Sequence, residues 1–206
     1  MSERRRALLV HGWRVRDPMK SIGKLAAPLA ELGYEPLILR YGYVLWPRQT
    51  SFKTRFEAKQ WACRTRPGDV VIGHSNGAAL SWEISHCDGN LADTMVWLNP
   101  ALRPETVPGR SVRRCLVLYN SYDEAVPWTR LVWDTAWGTM GAKGYVPENS
   151  PFGRDHRMVE AVHGRGHSDF SDAAGIARII DAFVKGAAPF GSAVRLEASP
   201  LQGVPA

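Results

Sequence analysis

Residues 70–80 read VVIGHSNGAAL, and they lead from an apolar, β-type run into a run of helical character. At the junction stands the pentapeptide Gly73-His74-Ser75-Asn76-Gly77, a G-x-S-x-G pattern. Such a pattern suits a nucleophile that projects from a sharp turn between strand and helix, because the flanking glycines remove side chains that would clash. An ordinary glycine-rich turn after a strand would show the same letters. Ser75 is therefore a candidate nucleophile that needs support from the rest of the chain.

Outward from this stretch, short runs rich in valine, isoleucine and leucine alternate with longer segments of helical period. The predicted strands cover 6–11, 35–41, 70–74, 94–98, 114–119 and 157–163. The predicted helices cover 18–32, 54–64, 76–86, 128–136 and 171–184, and Gly33 closes the first of them. This alternation predicts the α/β class: a three-layer sandwich with a mostly parallel six-stranded sheet, covered by helices on both faces. We expect one domain over 1–185 and a loose C-terminal tail over 186–206.

Composition excludes several classes of protein. The chain of 206 residues is 45% hydrophobic and 22% charged, which is ordinary for a globular domain. No apolar run approaches the ~20 residues that a membrane span needs, so we expect no span and a cytoplasmic protein. The net charge of +6 comes from scattered basic residues, and we expect no nucleic-acid partner. The three cysteines lack metal-ligand spacing, and we interpret them as buried free thiols.

An acidic residue follows the fifth predicted strand. Asp123 lies in the segment 120–127, and a carboxylate at the end of a strand can hold an imidazole in the required tautomer and orientation. A turn aspartate is equally common after strands. Glu124 and Asp169 are the other acids that could take this role.

A histidine follows the sixth predicted strand. His167 lies in the glycine-flanked segment 164–170, from which a side chain can reach across the carboxyl edge of the sheet to a serine. His163 is the competing candidate, although it belongs to the predicted strand. We interpret His11 and His74, at strand ends, as packing residues.

Taken in chain order, Ser75, Asp123 and His167 each follow a strand of their own, and this order resembles the triad of the α/β-hydrolase superfamily. His11-Gly12-Trp13 is similar to the family's segment that supplies half of the oxyanion hole. The resemblance implies backbone N–H donors from Trp13 and Asn76, and the strand order 2-1-3-4-5-6 of a minimal member lacking the first two strands.

The resemblance also bears on the surroundings of the site. No cap domain fits between residues 98 and 114, and the segment 137–155 is the part that could fold over the site as a loop. A serine rather than an aspartate at the turn argues against dehalogenase or epoxide-hydrolase chemistry.

The resemblance implies a serine hydrolase that cleaves a carboxylic ester or related acyl bond and needs no metal or organic cofactor. A carboxylesterase acting on a small-molecule acyl ester is the first expectation, with thioesterase or lipase activity next. A ligand-binding protein that keeps the scaffold without turnover is the alternative from another class. The chain holds eight tryptophans, and we expect Trp13, Trp46 and Trp128 to bind substrate, although tryptophans equally fill cores.

Overall fold

One parallel sheet organises the chain. A computed structural model describes residues 4–12, 15–41, 52–123, 138–144, 155–160, 167 and 170–186. Within these residues the sheet has six strands in the order β2-β1-β3-β4-β5-β6, as predicted. In chain order the strands are β1 (Arg6–Val10), β2 (Glu35–Leu39), β3 (Val70–His74), β4 (Thr94–Leu98), β5 (Arg114–Tyr119) and β6 (Asp155–Glu160).

The direction in which the strands are added reverses beside β1. β2 pairs with one edge of β1, and β3 returns to pair with the other. In open α/β sheets, ligands bind outside the carboxyl ends of the strands at such a switch point. The register brings these ends level, because Val10 pairs with Gly73 and His74 pairs with Leu98. The residues just beyond β1, β3 and β4 therefore lie near one another.

Helices cover both faces of this sheet. The described α-helices are α1 (Ala26–Glu31), α2 (Phe52–Ala62), α3 (Asn76–Ser85), α4 (Met140–Lys143) and α5 (Ala173–Val184). Alternate residues of β1 enter two different cores: Ala7 and Leu9 pack with α1 and α5, whereas Leu8 and Val10 pack with α2 and α3. A strand buried on both faces explains the continuous apolar runs in the sequence, and the predicted three-layer α/β sandwich is confirmed.

The continuous helix predicted over 18–32 is wrong. Two 3₁₀ segments, Pro18–Lys20 and Ile22–Leu25, precede the short helix α1. Pro28 explains the break, because its ring nitrogen has no hydrogen to donate to the carbonyl four residues earlier in the interior of a longer helix. In α1 the same proline lies in the first turn, where N–H groups have no partner within the helix.

Smaller differences concern the ends of elements. β6 begins at Asp155, two residues before the predicted start, because it pairs with β5 from Arg114 onwards. The helix predicted over 128–136 and the tail from residue 187 onwards lie outside the described residues, so the proposed domain boundary stays a prediction. None of the described helices is both long and apolar enough to span a bilayer.

The interpretation of all three cysteines as buried was wrong. Cys115 is buried in β5, but Cys87 is only half-buried and Cys63 is exposed at the end of α2; all three are free thiols. Apolar neighbours in the sequence do not show which face of a helix a residue occupies. Of the three, only Cys115 is therefore a core residue.

Part of the segment expected to form a loop over the site is instead packed into the protein. Residues 138–144 contain α4, whose Met140 is fully buried in the core between the sheet and the helices α2 and α3. A Cβ on Gly138 would lie 2.1 Å from the Cα of Arg103, so this glycine lies against the chain that follows β4. The remaining residues of 137–155 before β6 lie outside the described part.

Candidate active site

Ser75 stands on a turn with an unusual backbone conformation. Its φ of 56° and ψ of −122° lie outside the usual regions for residues other than glycine. The Ser75 N–H donates to the carbonyl of Leu98 at 3.0 Å. The Ser75 carbonyl accepts from the N–H groups of Ala78 and Ala101, at 3.0 and 3.2 Å. Because the surroundings fix both peptide groups of the serine, the strained conformation persists.

Gly73 and Gly77 allow strand, turn and helix to come into close contact. A Cβ on Gly73 would lie 2.7 Å from the Cα of Ala78, inside the helix that follows. A Cβ on Gly77 would lie 2.2 Å from the carbonyl oxygen of Val10. Both contacts are with backbone atoms, which cannot rotate away as a side chain can. The two glycines of the pentapeptide therefore serve close packing, and Gly77 ties the turn to β1 as well.

The chain that follows β1 lies against the serine turn. A Cβ on Gly12 would be 3.1 Å from the Cβ of Ser75. The hydroxyl of Tyr41 donates to the carbonyl of His11 at 2.5 Å and lies 3.1 Å from that of Gly12, while its ring stacks on the His11 ring with centroids 4.1 Å apart. Burial raises the pKa of Tyr41, so the hydroxyl keeps its proton. Tyr41 thus fixes the backbone leading to Trp13, which itself lies outside the described residues.

Asn76 is the first residue of α3. N–H groups in the first turn of a helix have no carbonyl to bond within it, and this end of the helix dipole favours negative charge. A backbone N–H group at this position can therefore donate to a developing negative charge, as an oxyanion donor must.

Asp123 and His167 are in direct contact. Nδ1 of the imidazole lies 2.6 Å from Oδ2 of the carboxylate, whose side chain is fully buried. The turn after β5 holds the acid: the Asp123 N–H donates to the carbonyl of Asn120 at 2.9 Å, and the Asn120 side chain accepts from the N–H of Tyr122 at 3.0 Å. An ionised acceptor at Nδ1 requires a proton there, which leaves the lone pair on Nε2. This is the tautomer that a general base of this type needs.

The backbone of His167 is also held by side chains. Nε2 of His74 and Nδ2 of Asn99 each lie 2.9 Å from the His167 carbonyl oxygen. Since a carbonyl only accepts, His74 carries its proton on Nε2. Burial, and then the neighbouring His167, lower the pKa of His74 to about 3, so its ring is neutral near pH 7. The His74 ring also meets the edge of Phe170, with centroids 5.0 Å apart.

These contacts bring two of the predicted triad residues together directly and link the third through its neighbour in the chain. Asp123 contacts the imidazole of His167, and the residue before Ser75 bonds to the backbone of His167. The predicted oxyanion donor Asn76 follows the serine directly. The other residues named from the sequence for the pocket or as competing acids and bases lie outside the described part: Trp46, Glu124, Trp128, His163 and Asp169.

The sequence reasoning missed three residues that contact this site. From the sequence we interpret His74 as a packing residue and assign no role to Tyr41 or Asn99. The available signals were weak: a histidine inside the G-x-S-x-G pattern, and an Asn-Pro pair directly after a buried strand.

No group of three or more histidine, cysteine, aspartate or glutamate side chains that could hold a metal ion occurs in the described part of the chain.

Solved structures with the same architecture place this site in context. A proposed hydrolase of the α/β superfamily from Xanthomonas campestris pv. campestris superposes with a TM-score of 0.59 at 13% identity, over 89% of this chain and 99% of that one. The chain has the α/β-hydrolase fold. The esterase domain of a Rhodothermus marinus protein matches at 15% identity over 88% of this chain and 86% of its own, with a TM-score of 0.56. The carboxylesterase of Bacillus cereus matches at 17% identity over 86% and 88%, also at 0.56.

At these identities the likeness establishes the α/β-hydrolase fold and not a particular reaction. No protein-family model matches the sequence, and comparison with curated proteins gives no significant match.

Proposed function

We propose that the protein is a serine hydrolase that cleaves a carboxylic ester or a related acyl bond through an acyl-enzyme on Ser75. The observation that carries this proposal is the 2.6 Å contact between His167 Nδ1 and a fully buried Asp123. An imidazole paired in this way has its free Nε2 ready to accept a proton. Support also comes from the strained serine turn at the same edge of an α/β-hydrolase fold, and from neighbours named as hydrolases and esterases.

The mechanism follows from these groups. His167 takes the proton of the Ser75 hydroxyl as the serine oxygen attacks the carbonyl carbon, and Asp123 stabilises the imidazolium that forms. The N–H groups of Trp13 and Asn76 bind the developing oxyanion; one strong donor of this kind contributes about 3–4 kcal/mol. His167 then protonates the leaving alcohol and later activates the water that releases the acid. The chemistry needs no metal or organic cofactor.

For the substrate we propose a small acyl ester, so that the protein would be a carboxylesterase; thioesters and lipids are the alternatives within the same mechanism. The aromatic residues Trp13, Trp46 and Trp128 are proposed to contact the acyl or alcohol group, because aromatic-lined pockets suit apolar ligands. Initial rates on p-nitrophenyl esters of graded chain length, beside the matching thioesters, would rank these classes.

A fluorophosphonate probe tests the proposed nucleophile without knowledge of the substrate. Ser75 should displace fluoride and gain the mass of the phosphonyl group, located by peptide mass spectrometry. Ser75→Ala should stay unlabelled and lose ester hydrolysis while unfolding at the same urea concentration as the parent. Ester turnover by Ser75→Ala near the parental rate would refute the assignment. A folded parent that is never labelled would favour a ligand-binding protein without turnover.

A further inference from the structure

The backbone carbonyl of His167 is the acceptor for two side chains that come from different strand ends. His74 ends β3 and Asn99 directly follows β4, and each places a nitrogen 2.9 Å from the same oxygen. A carbonyl oxygen has two lone pairs, so two donors satisfy it fully. These donors come from positions 93 and 68 residues away in the sequence, so they tie His167 to the centre of the sheet.

We propose that His74 and Asn99 are positioning residues that hold the His167 backbone and so keep its imidazole in place to serve Ser75. This inference rests on the proposed function. Asp123 fixes one atom of the imidazole, Nδ1, and a ring held at one atom can still swing about it. Anchoring the backbone of the same residue removes that freedom. A displacement of a catalytic group by about 1 Å can cost about 10²-fold in rate.

Both donors occupy positions that are unfavourable for stability alone. Asn99 has a left-handed φ of 41°, a conformation that residues other than glycine adopt at a cost in stability. His74 is fully buried, and its Nδ1 has no hydrogen-bond partner in the described structure. An apolar side chain would fill the space of His74 without burying that nitrogen. Costs of this kind concentrate where a protein holds a functional group in place.

The charge state of His74 suits a position next to a base. Its ring lies 5.1 Å from the ring of His167, and a second positive charge there would oppose formation of the imidazolium. The titratable groups that act on His74 are His167 and His11. Since burial keeps the His74 ring neutral, it can donate a hydrogen bond to the His167 backbone without competing for the serine proton.

The test distinguishes the effect of losing a hydrogen-bond donor from the effect of changing the shape of the side chain. His74→Leu removes the Nε2 donor, whereas His74→Gln keeps an amide nitrogen near the same point. Asn99→Gly removes the donor and tolerates the left-handed φ. Thr65→Val is the matched control, since it removes a buried hydroxyl that bonds to the backbone groups of Ala62 and Leu91. The readouts are the second-order rate of fluorophosphonate labelling, the final labelled fraction, kcat, KM and urea unfolding.

Each single loss of a donor should lower the labelling rate and kcat by about tenfold, and the double variant by about 100-fold or more, with KM changed less than threefold. The labelled fraction should still reach completion, because the protein is folded but its base is displaced. A merely structural role would reduce the labelled fraction or the unfolding midpoint and leave the rate constant intact. His74→Gln should recover most of the rate, and Thr65→Val should label at the parental rate.

Parental labelling rates in Asn99→Gly, or in a folded His74→Leu, would overturn the role of that residue. If His74→Leu does not fold, Asn99→Gly decides the test, because it removes one of the two donors to the same carbonyl oxygen. Failure of the proposed function has a different signature, since the parent itself would then not be labelled at Ser75.

Discussion

Replacing Asp123 by asparagine keeps the shape of the side chain and removes its charge. The carboxylate is fully buried and lies 2.6 Å from Nδ1 of His167. With charge centres about 4 Å apart and an effective dielectric constant near 20, its attraction for the imidazolium is about 4 kcal/mol. At about 1.4 kcal/mol per factor of ten, this corresponds to about 10³-fold in rate. The asparagine amide can also present a donor to Nδ1 and select the wrong tautomer, and in a serine protease the equivalent change costs about 10⁴-fold.

We therefore expect Asp123→Asn to lower kcat and the rate of fluorophosphonate labelling by about 10³- to 10⁴-fold, with a native urea midpoint. Asp88→Asn, at an exposed position after α3, is the matched control and should behave as the parent. Glu124→Gln and Asp169→Asn test the two other acids and should remain active. A folded Asp123→Asn that labels within tenfold of the parental rate would refute this reasoning, and the acid would then be sought at one of the other two positions.

Three further predictions concern packing, the oxyanion segment and pH. Gly77→Ala places a Cβ 2.2 Å from a carbonyl oxygen of β1 and should lower the free energy of unfolding in urea by about 1–3 kcal/mol or more. The control Gly68→Ala, strained only by its φ of 87°, should lower it by about 1–2 kcal/mol. Equal losses of stability in the two variants would contradict the packing argument. Tyr41→Phe leaves the buried carbonyl of His11 without its donor and should slow labelling about tenfold with little change in KM; a parental labelling rate would exclude this role. The folded pKa of His74, about 3, lies below its usual 6.5, so the unfolded chain binds more protons in this window. Stability should therefore rise with pH between about 3 and 6.5, by up to about 1.4 kcal/mol per pH unit. The urea midpoint should change less between pH 5 and 7 in His74→Gln than in the parent. The same change in both proteins would argue against a neutral buried ring.

The sequence predicts this fold well because its strands are buried on both faces. Continuous apolar runs such as 70–72 are typical of a covered sheet, and the glycine pattern at 73–77 marks where strand becomes helix. The prediction of a continuous helix over 18–32 was wrong for a local reason, because helical periodicity takes no account of Pro28. The interpretation of Cys63 as buried failed because apolar neighbours do not show that α2 ends at Ala62 and leaves the next residue exposed.

The site is predictable where its chemistry has a local signature and not where it depends on distant parts of the chain. Ser75 lies in a recognisable pentapeptide, and Asp123 and His167 each follow a strand. The hydrogen bonds of His74 and Asn99 to the His167 backbone join residues far apart in sequence, and they arise only once β3 and β4 are paired. Periodicity and spacing carry no information about such contacts.

The contact between Gly77 and the end of β1 has a consequence for the growing chain on the ribosome. In the described part of the chain, the backbone groups that contact the serine turn come from residues 10–101: the β1 carbonyl beside Gly77, the Leu98 carbonyl, and the N–H groups of Ala78 and Ala101. The proposed base, His167, follows only after two more strands have been synthesised. At about 5–20 residues per second, several seconds pass between the two. During that interval the nascent chain would carry the serine turn without the histidine that we propose as its base, and the proposed hydrolase should be inactive.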